Sequence, residues 1–355
     1  MLHGHLLSKK LKNSSKKFTF FYPGNINQKT GGYIYENNIF KFSKKNKFPI
    51  KFIELTSNYP NPNIQDIKNL NKLTSNIKSD NILIFDGLVL EGLHKSINIF
   101  DNFKIIALIH HPLYLEFNGK KSEEFFKRAI KIYKKIDYFI VTSHNTKKLL
   151  SKTFKIKSSK ISIVEPGIEK FKKYKKIPSS KVKLLTCGSI IERKKYDYLI
   201  NEIKNIDNIQ LNIVGDVSRE NKYANKIKNI INNNNLENKV ILHGKISQVK
   251  LEKIYSNCDF YISTSEYEGF GMSLANAALS KLPIISYKTS TIEKTIGKAG
   301  VLYFDSHNKD TLKKLINDNC FDSKKYKILK KNIKNKKYLT NNQSAKHFIK
   351  AIYNA

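Results

Sequence analysis

The stretch "STSEYEGFG" (263–271) sets two carboxylates, Glu266 and Glu268, and two glycines, Gly269 and Gly271, directly after the apolar run "FYIS". A carboxylate on a glycine-hinged loop accepts hydrogen bonds from hydroxyl donors, and the glycines let a ligand come close to the backbone. Earlier, "TCGSIIERKKYDYLI" (186–200) places Arg193, Lys194 and Lys195 between a glycine turn at Gly188 and a helical segment. Three cations beside a helix amino terminus suit a phosphate group. Arg193 carries most of that reading, since Arg128 and Arg219 are the only other arginines in a lysine-rich chain. "ALIHHPLYLE" (107–116) ends an apolar strand in His110 and His111, which point to opposite faces if the strand continues. A histidine at such a strand end is either a hydrogen-bonded structural residue or, where it opens onto a cleft, a contact or acid–base group for a hydroxyl. Asp86 in "IFDGL" ends the preceding strand, as a functional carboxylate or as a turn-forming aspartate.

These residues need strands to hold them. Six apolar runs of strand length fall in the first half (18–24, 50–55, 81–87, 104–111, 138–143 and 161–167) and six in the second (183–189, 211–216, 239–245, 260–265, 283–288 and 301–304). Continuous β-rich runs of this kind suit parallel strands covered on both faces. The segments between them have helical spacing. In "SEEFFKRAIKIYKKI" the spacing predicts one buried face through Phe126, Ile130 and Tyr133, with Ser122 as the cap. Strand–helix alternation twice over predicts an α/β protein of two doubly wound domains. Pro166-Gly167, a charged stretch and Pro178-Ser179-Ser180 place the boundary near residues 175 and 176, giving domains 1–175 and 176–339. The amphipathic end, about 340–355, is expected to pack back on the first domain. Among the 15 glycines, Gly24, Gly87, Gly167, Gly188, Gly215, Gly244, Gly269 and Gly271 follow strand-like runs, and Gly31 and Gly32 form a pair in the first loop. As a set they mark the carboxyl ends of parallel strands, where open α/β sheets bind ligands.

Composition sets the outer bounds. At 355 residues and 40% hydrophobic content, two sizeable cores are affordable. The net charge of +36 invites a nucleic-acid partner, but the excess is lysine spread along the chain, of the kind A/T-rich codons produce. Sequence-specific readers favour arginine and carry a recognisable module, so nucleic acid is set aside as the main partner. Peripheral contact with an anionic membrane fits the charge better. Cys187, Cys258 and Cys320 have no ligand spacing and read as small buried hydrophobes in a reducing compartment. No apolar run approaches the roughly 18 residues of a membrane span. The segment "MLHGHLLSKKLKNSSKK" lacks the apolar core of a signal peptide, so a cytoplasmic location is expected, at most peripheral at the inner face of the membrane.

With these residues in place, the sequence resembles the retaining glycosyltransferases of family 4 over nearly its whole length. "SEYEGFGMSLANAALSKLPII" resembles the donor-site block of that family, in which E-G-F-G opens a Glu-x7-Glu motif, and "TCGSIIERKKYDYLI" resembles its phosphate loop. "LNIVGD", "VILHGKIS" and "LEKIYSNCDFYISTS" match further family segments in order, while "KTGGYIYENNI", "DGL", "ALIHHPLYLE" and "VTSHNTKKLL" resemble a branch with a His-His-Pro-Leu signature. The resemblance implies the GT-B fold, two Rossmann-like domains facing a central cleft. It implies a nucleotide-sugar donor on the second domain, a glycan or lipid-linked acceptor on the first, retention of configuration, and neither metal nor other cofactor. Arg193 and Lys194 would neutralise the leaving diphosphate. Gly31, Gly32 and Gly188 would let backbone approach the phosphates. Gly244, Lys245 and Ile246 would border the nucleotide. His110 would contact the donor sugar, and Glu268 would accept hydrogen bonds from its hydroxyls, with the backbone of Phe270, Gly271 and Met272 completing the grip. The sequence departs from the family pattern at Asn276, where the second glutamate usually binds the ribose, and at Ser189, where an arginine is common. Lys195 and Lys281 stand where glycine is frequent. The implied activity is sugar transfer in polysaccharide or envelope biosynthesis. The alternative is a catalytically weak glycan-binding or scaffolding module, which Asn276 would favour.

Overall fold

The computed structural model of the chain describes residues 16–333 and 336–355; the amino-terminal segment read for targeting lies almost wholly outside them. Each of the twelve apolar runs forms a strand: β1 (Phe18–Pro23), β2 (Ile50–Leu55), β3 (Ile82–Asp86), β4 (Lys104–Ile109), β5 (Tyr138–Val141), β6 (Ile161–Ile163), β7 (Val182–Cys187), β8 (Ile209–Val214), β9 (Val240–Gly244), β10 (Phe260–Ser263), β11 (Ile284–Tyr287) and β12 (Val301–Phe304). The helices between them are α1 (Gly31–Lys45), α2 (Ile64–Ser75), α3 (Gly87–Gly92), α4 (Gly119–Tyr133), α5 (His144–Thr153), α6 (Tyr196–Ile203), α7 (Asn221–Asn233), α8 (Gln248–Asn257), α9 (Met272–Leu279), α10 (Ser290–Ile296), α11 (Thr311–Cys320), α12 (Ser323–Asn332) and α13 (Asn341–Asn354).

The chain divides into two units, Met1–Gly167 with Leu339–Ala355, and Ile168–Tyr338. Each holds one six-stranded sheet, in the order β2-β1-β3-β4-β5-β6 in the first and β12-β11-β10-β7-β8-β9 in the second. Every pairing is parallel. That is why the strands read as continuous apolar runs: both faces of each sheet are covered. In the first unit one face packs Phe21, Phe85 and Phe139 against α3, α4 and α5, and the other packs Phe18, Phe20 and Ile106 against α1 and α13. Helix α13 is capped by Thr340, whose hydroxyl accepts from the Gln343 N–H while the Gln343 side chain accepts from the Thr340 N–H. Its Phe348 and Ile352 are fully buried, each contributing roughly 1.5–3 kcal/mol.

Three local expectations are corrected. The division falls at Gly167, ahead of residue 175, because the following segment hangs on the second unit. Ile168 packs on Phe270 and Ala275, Phe171 meets Tyr255 edge-on, and the Tyr174 and Ile177 N–H groups donate to Ser256 and Asn257. In α4 the buried stripe is Phe125, Ala129, Ile132 and Tyr133; of the residues read from spacing Tyr133 belongs to it and Phe126 and Ile130 do not. Ile130 is exposed, while Phe126 stays half-buried against Tyr114 and Phe154. The helix starts at Gly119, so Ser122 lies inside its first turn and donates to the Tyr114 carbonyl instead of capping. A second apolar face in the same helix outcompeted the one read from spacing.

Candidate active site

In doubly wound sheets the chain leaves neighbouring strands in opposite directions at the point where strand order reverses, which opens a crevice beyond their carboxyl ends. In the second unit that point lies between β7 and β10. The loops after these two strands carry the acidic and basic motifs, and they are tied together: Thr264 Oγ1 donates to the Lys194 carbonyl at 2.7 Å and the Glu266 N–H to the Arg193 carbonyl at 3.1 Å. The result is a compact cluster. Lys194 Nζ lies 2.5 Å from Glu268 Oε1, and Arg193 lies 4.0 Å from Glu268 Oε2 while donating to the Tyr267 carbonyl. The three side chains are only 9–12% exposed.

Burial alone would raise the Glu268 carboxyl, but the Lys194 and Arg193 charges outweigh it and hold the group at about 2. Glu268 is therefore an ionised acceptor across the working pH range. Burial pulls Lys194 down, against the attraction of Glu268. Arg193 Nε is buried without a partner among the described residues, a donor left over inside the cluster. Gly188 leaves room for the Lys194 side chain: a Cβ there would lie 2.8 Å from Lys194 Cε and push that side chain aside. Gly215 is held to glycine still more tightly, since a Cβ would lie 1.8 Å from the Gly188 carbonyl oxygen. Glu268 and Lys194 are thus direct partners. Glu266, by contrast, pairs with Lys195 nearer the surface.

Gly271 caps α9 in the left-handed region (φ 90°), which brings the amino terminus of that helix, beginning at Met272, beside the acidic loop. Phe270 is buried, and its carbonyl accepts from Thr295 at 2.6 Å. Asn276 is half-buried one turn into α9. Lys245 reaches away to Asp216 at 2.9 Å and is mostly exposed, while Gly244 ends β9 in the left-handed region. His307, which sequence reasoning passed over, bonds the Thr264 carbonyl at 3.0 Å and stacks on Tyr287 at 4.2 Å. Its position just past the end of β12 was the available signal.

The first unit repeats the arrangement with different chemistry. Its order reverses between β1 and β3, and the loops there deliver Gly31, Gly32 and Asp86, with His110 just past β4. Gly31 and Gly32 open α1, and Glu36 follows one turn later on the face of Gly32. His110 Nε2 lies 3.1 Å from Glu36 Oε1 and 3.7 Å from Asp86 Oδ2. Gly32 lies against the ring, and a Cβ there would come within 3.2 Å of Nε2. The strand stops at Ile109, ahead of both histidines, and His111 bonds Glu116 at 2.9 Å. Burial raises the Glu36 carboxyl to about 7, lifts Asp86 well above the carboxylate range with the Glu36 charge adding to it, and lowers His110. Glu36, Asp86 and His110 are also the described side chains whose ligand atoms cluster within 4.8 Å, close enough to hold a metal ion. Glu36 was missed from sequence; its spacing of four from Gly32 was the only signal.

With this geometry in view, the comparison with known families is informative. Residues 167–336 match the family described as glycosyl transferases group 1. That match takes in nearly the whole of the second unit. The chain is 29% identical over 154 residues, 42% of its length, to the GtfA subunit of a UDP-N-acetylglucosamine–peptide N-acetylglucosaminyltransferase from Streptococcus agalactiae, of which it covers 30%. It spans from about a third to about half the length of the curated relatives it matches. Among solved structures, a glycosyltransferase from Rickettsia africae ESF-5 matches with a TM-score of 0.67 at 20% identity, covering 96% of this chain and 98% of that one. Anabaena HepE in complex with UDP-glucose matches with a TM-score of 0.72 at 13% identity, covering 96% of this chain and all of that one. These structures share the two-sheet GT-B fold. Within the second unit, the cluster of Arg193, Lys194 and Glu268 occupies the topological switch point. Among the described residues no helix is long and apolar enough to cross a membrane.

Proposed function

We propose that the chain is a retaining glycosyltransferase of family 4, moving a sugar from a nucleotide-sugar donor to a glycan or lipid-linked acceptor in polysaccharide or envelope assembly. The observation that carries this reading is the buried Arg193–Lys194–Glu268 cluster at the switch point of the unit that matches the group 1 glycosyl transferases. Two cations against one carboxylate leave one positive charge for an anionic ligand. A leaving nucleoside diphosphate gains negative charge as the glycosidic bond breaks, and preorganised cations stabilise that change most where water is scarce. The proposal gives that task to Arg193 and Lys194 without a metal ion. Glu268, which stays ionised, accepts from sugar hydroxyls on its remaining lone pairs. The amino terminus of α9, entered through Gly271, offers further N–H donors. Binding of UDP-glucose by HepE supports a nucleotide-sugar as the ligand class. Peripheral attachment to an anionic membrane fits the lysine excess and belongs to the same proposal.

Calorimetry with UDP-, GDP- and ADP-sugars tests it. Binding of at least one of them, lost in Lys194→Ala, is expected. Absence of binding to the whole panel at millimolar ligand overturns the reading.

A further inference from the structure

Glu36 has no part in the mechanism above, yet it is 2% exposed and faces a histidine at the ligand-binding edge of the first sheet. Its surroundings restrict what it can do. From α1 come Glu36 itself and Tyr35, whose ring meets the His110 ring edge-on at 5.6 Å. From β3 comes Asp86, with Oδ1 already accepting the Leu88 N–H at 2.8 Å and Oδ2 turned toward His110. From β1 comes Tyr22, with Glu54 beyond it. The end of β5 contributes Thr142, which donates to the His110 carbonyl at 2.9 Å. No lysine or arginine pairs with Glu36 or Asp86 among the described residues.

Two buried carboxyls in contact, without a cation, keep one proton between them, because two negative charges there cannot both be solvated. Asp86 Oδ1 already accepts the Leu88 N–H, and Glu36 Oε1 is the nearer of the two acceptors to His110, so the shared proton is placed on Asp86 and donated to Glu36. Glu36 is then a carboxylate, which only accepts. An acceptor 3.1 Å from His110 Nε2 requires the ring proton to sit on Nε2. Nδ1 keeps the lone pair. It has no hydrogen-bond partner among the described residues, and the side chain is 20% exposed.

We infer that Glu36 is a positioning residue which, backed by Asp86, locks His110 in the Nε2–H tautomer and so presents Nδ1 as an acceptor for a substrate hydroxyl. The lock stands on geometry; the identity of the hydroxyl as a sugar's rests on the proposed function. Such a site selects for a hydroxyl donor, because an ether, fluoro or deoxy analogue leaves Nδ1 unpaired.

The test is nitrogen NMR of the full chain labelled with 15N-histidine, with the His110 signals assigned by their loss in His110→Gln. At pH 7.5 a pyrrole-like Nε2 and a pyridine-like Nδ1 are expected. An Nδ1–H tautomer or an imidazolium overturns the inference. Glu36→Leu is expected to give a mixture of tautomers, and an unchanged pattern overturns it; should that variant fail to fold, Glu36→Ala, which also removes the acceptor, is read the same way. Asp86→Asn still donates to Glu36 and is expected to keep the lock. A titration with Zn2+ adds a separate arm: a shift of both nitrogens at one equivalent, reversed by chelator, assigns the cluster to a cation and overturns the lock. In nucleotide-sugar hydrolysis, Glu36→Leu should lower kcat about 10-fold, the worth of one hydrogen bond, with affinity for UDP alone unchanged. A correct tautomer in a protein that binds no nucleotide-sugar upholds the lock and removes the sugar.

Discussion

The two units place a buried three-residue cluster at the same topological position, beyond the carboxyl ends of the strands where the order reverses. Burial pushes every carboxyl in them toward the neutral form. In the second unit Lys194 and Arg193 reverse that push, and Glu268 titrates at about 2. In the first unit no lysine or arginine pairs with Glu36 or Asp86 among the described residues, and burial raises both carboxyls, Glu36 to about 7. One cluster is therefore permanently ionic and suited to an anion. The other shares a proton and is suited to orienting a neutral ring. Burial sets the cost of charge, and the neighbours decide whether it is met.

The largest expected effect comes from breaking the ionic cluster. Glu268→Ala leaves two cations buried together and should cost about 3–5 kcal/mol in urea unfolding, with nucleotide-sugar binding lost in calorimetry. The comparison is sharpened by neutral isosteres. Glu268→Gln removes a charge the cations need and should still cost about 2–3 kcal/mol, as charged hydrogen bonds do. Asp86→Asn replaces a group already protonated, keeps the bond from Leu88 and should cost under about 1 kcal/mol. Equal costs at the two sites, measured by chemical denaturation, would erase the distinction.

The pH dependence should also differ by unit. Glu36, Asp86 and Glu91, which burial lifts to about 8, have raised carboxyls in the folded first unit. Above about pH 6.5 the unfolded chain has already lost those protons while the folded one retains them, so the first unit loses stability as pH rises from about 6.5 to 8. His110 and His94, whose depressed values act in the opposite sense, contribute only below that window. The Glu268 contribution is complete above about pH 4.5 and is lost as pH falls toward about 2. Hydrogen exchange read separately on the β1–β6 and β7–β12 amides should show the first unit weakening between pH 6.5 and 8 with the second flat. The smallest effect concerns the entry to the cation loop. Lys195 holds φ 52°, a left-handed conformation that glycine adopts without strain, whereas α1 of the first unit is entered through two glycines. Lys195→Gly should raise stability by about 0.5 kcal/mol in thermal unfolding, the strain relieved exceeding the weak pair with Glu266 and the added chain entropy.

Much of this was legible in the residues. All twelve strands were readable because a strand covered on both faces must be apolar throughout, a demand that leaves a local mark. Lys195 and Lys281, noted for standing at positions where glycine is frequent, both take positive φ. Arg193 and Glu268 were found because a rare arginine and an acidic residue in a basic chain stood near glycines at strand ends, and Lys194 because it adjoins Arg193. Less legible was the buried stripe of α4, where two apolar faces compete and only packing chooses. Glu36 was hidden because a glutamate among polar helix residues looks like a solvated one.

The sequence by itself determined the strands, the helices between them, and which loops carry chemistry, because these depend on patterns within a few residues. Tertiary structure decided who meets whom. Glu268 and Lys194 are 74 residues apart in sequence and 2.5 Å apart in space, and Glu36 and His110 are likewise separated by 74 residues. Charge state follows contact and burial rather than spacing, so the ionic cluster and the proton-sharing one could be told apart only once the sheets had brought their loops together.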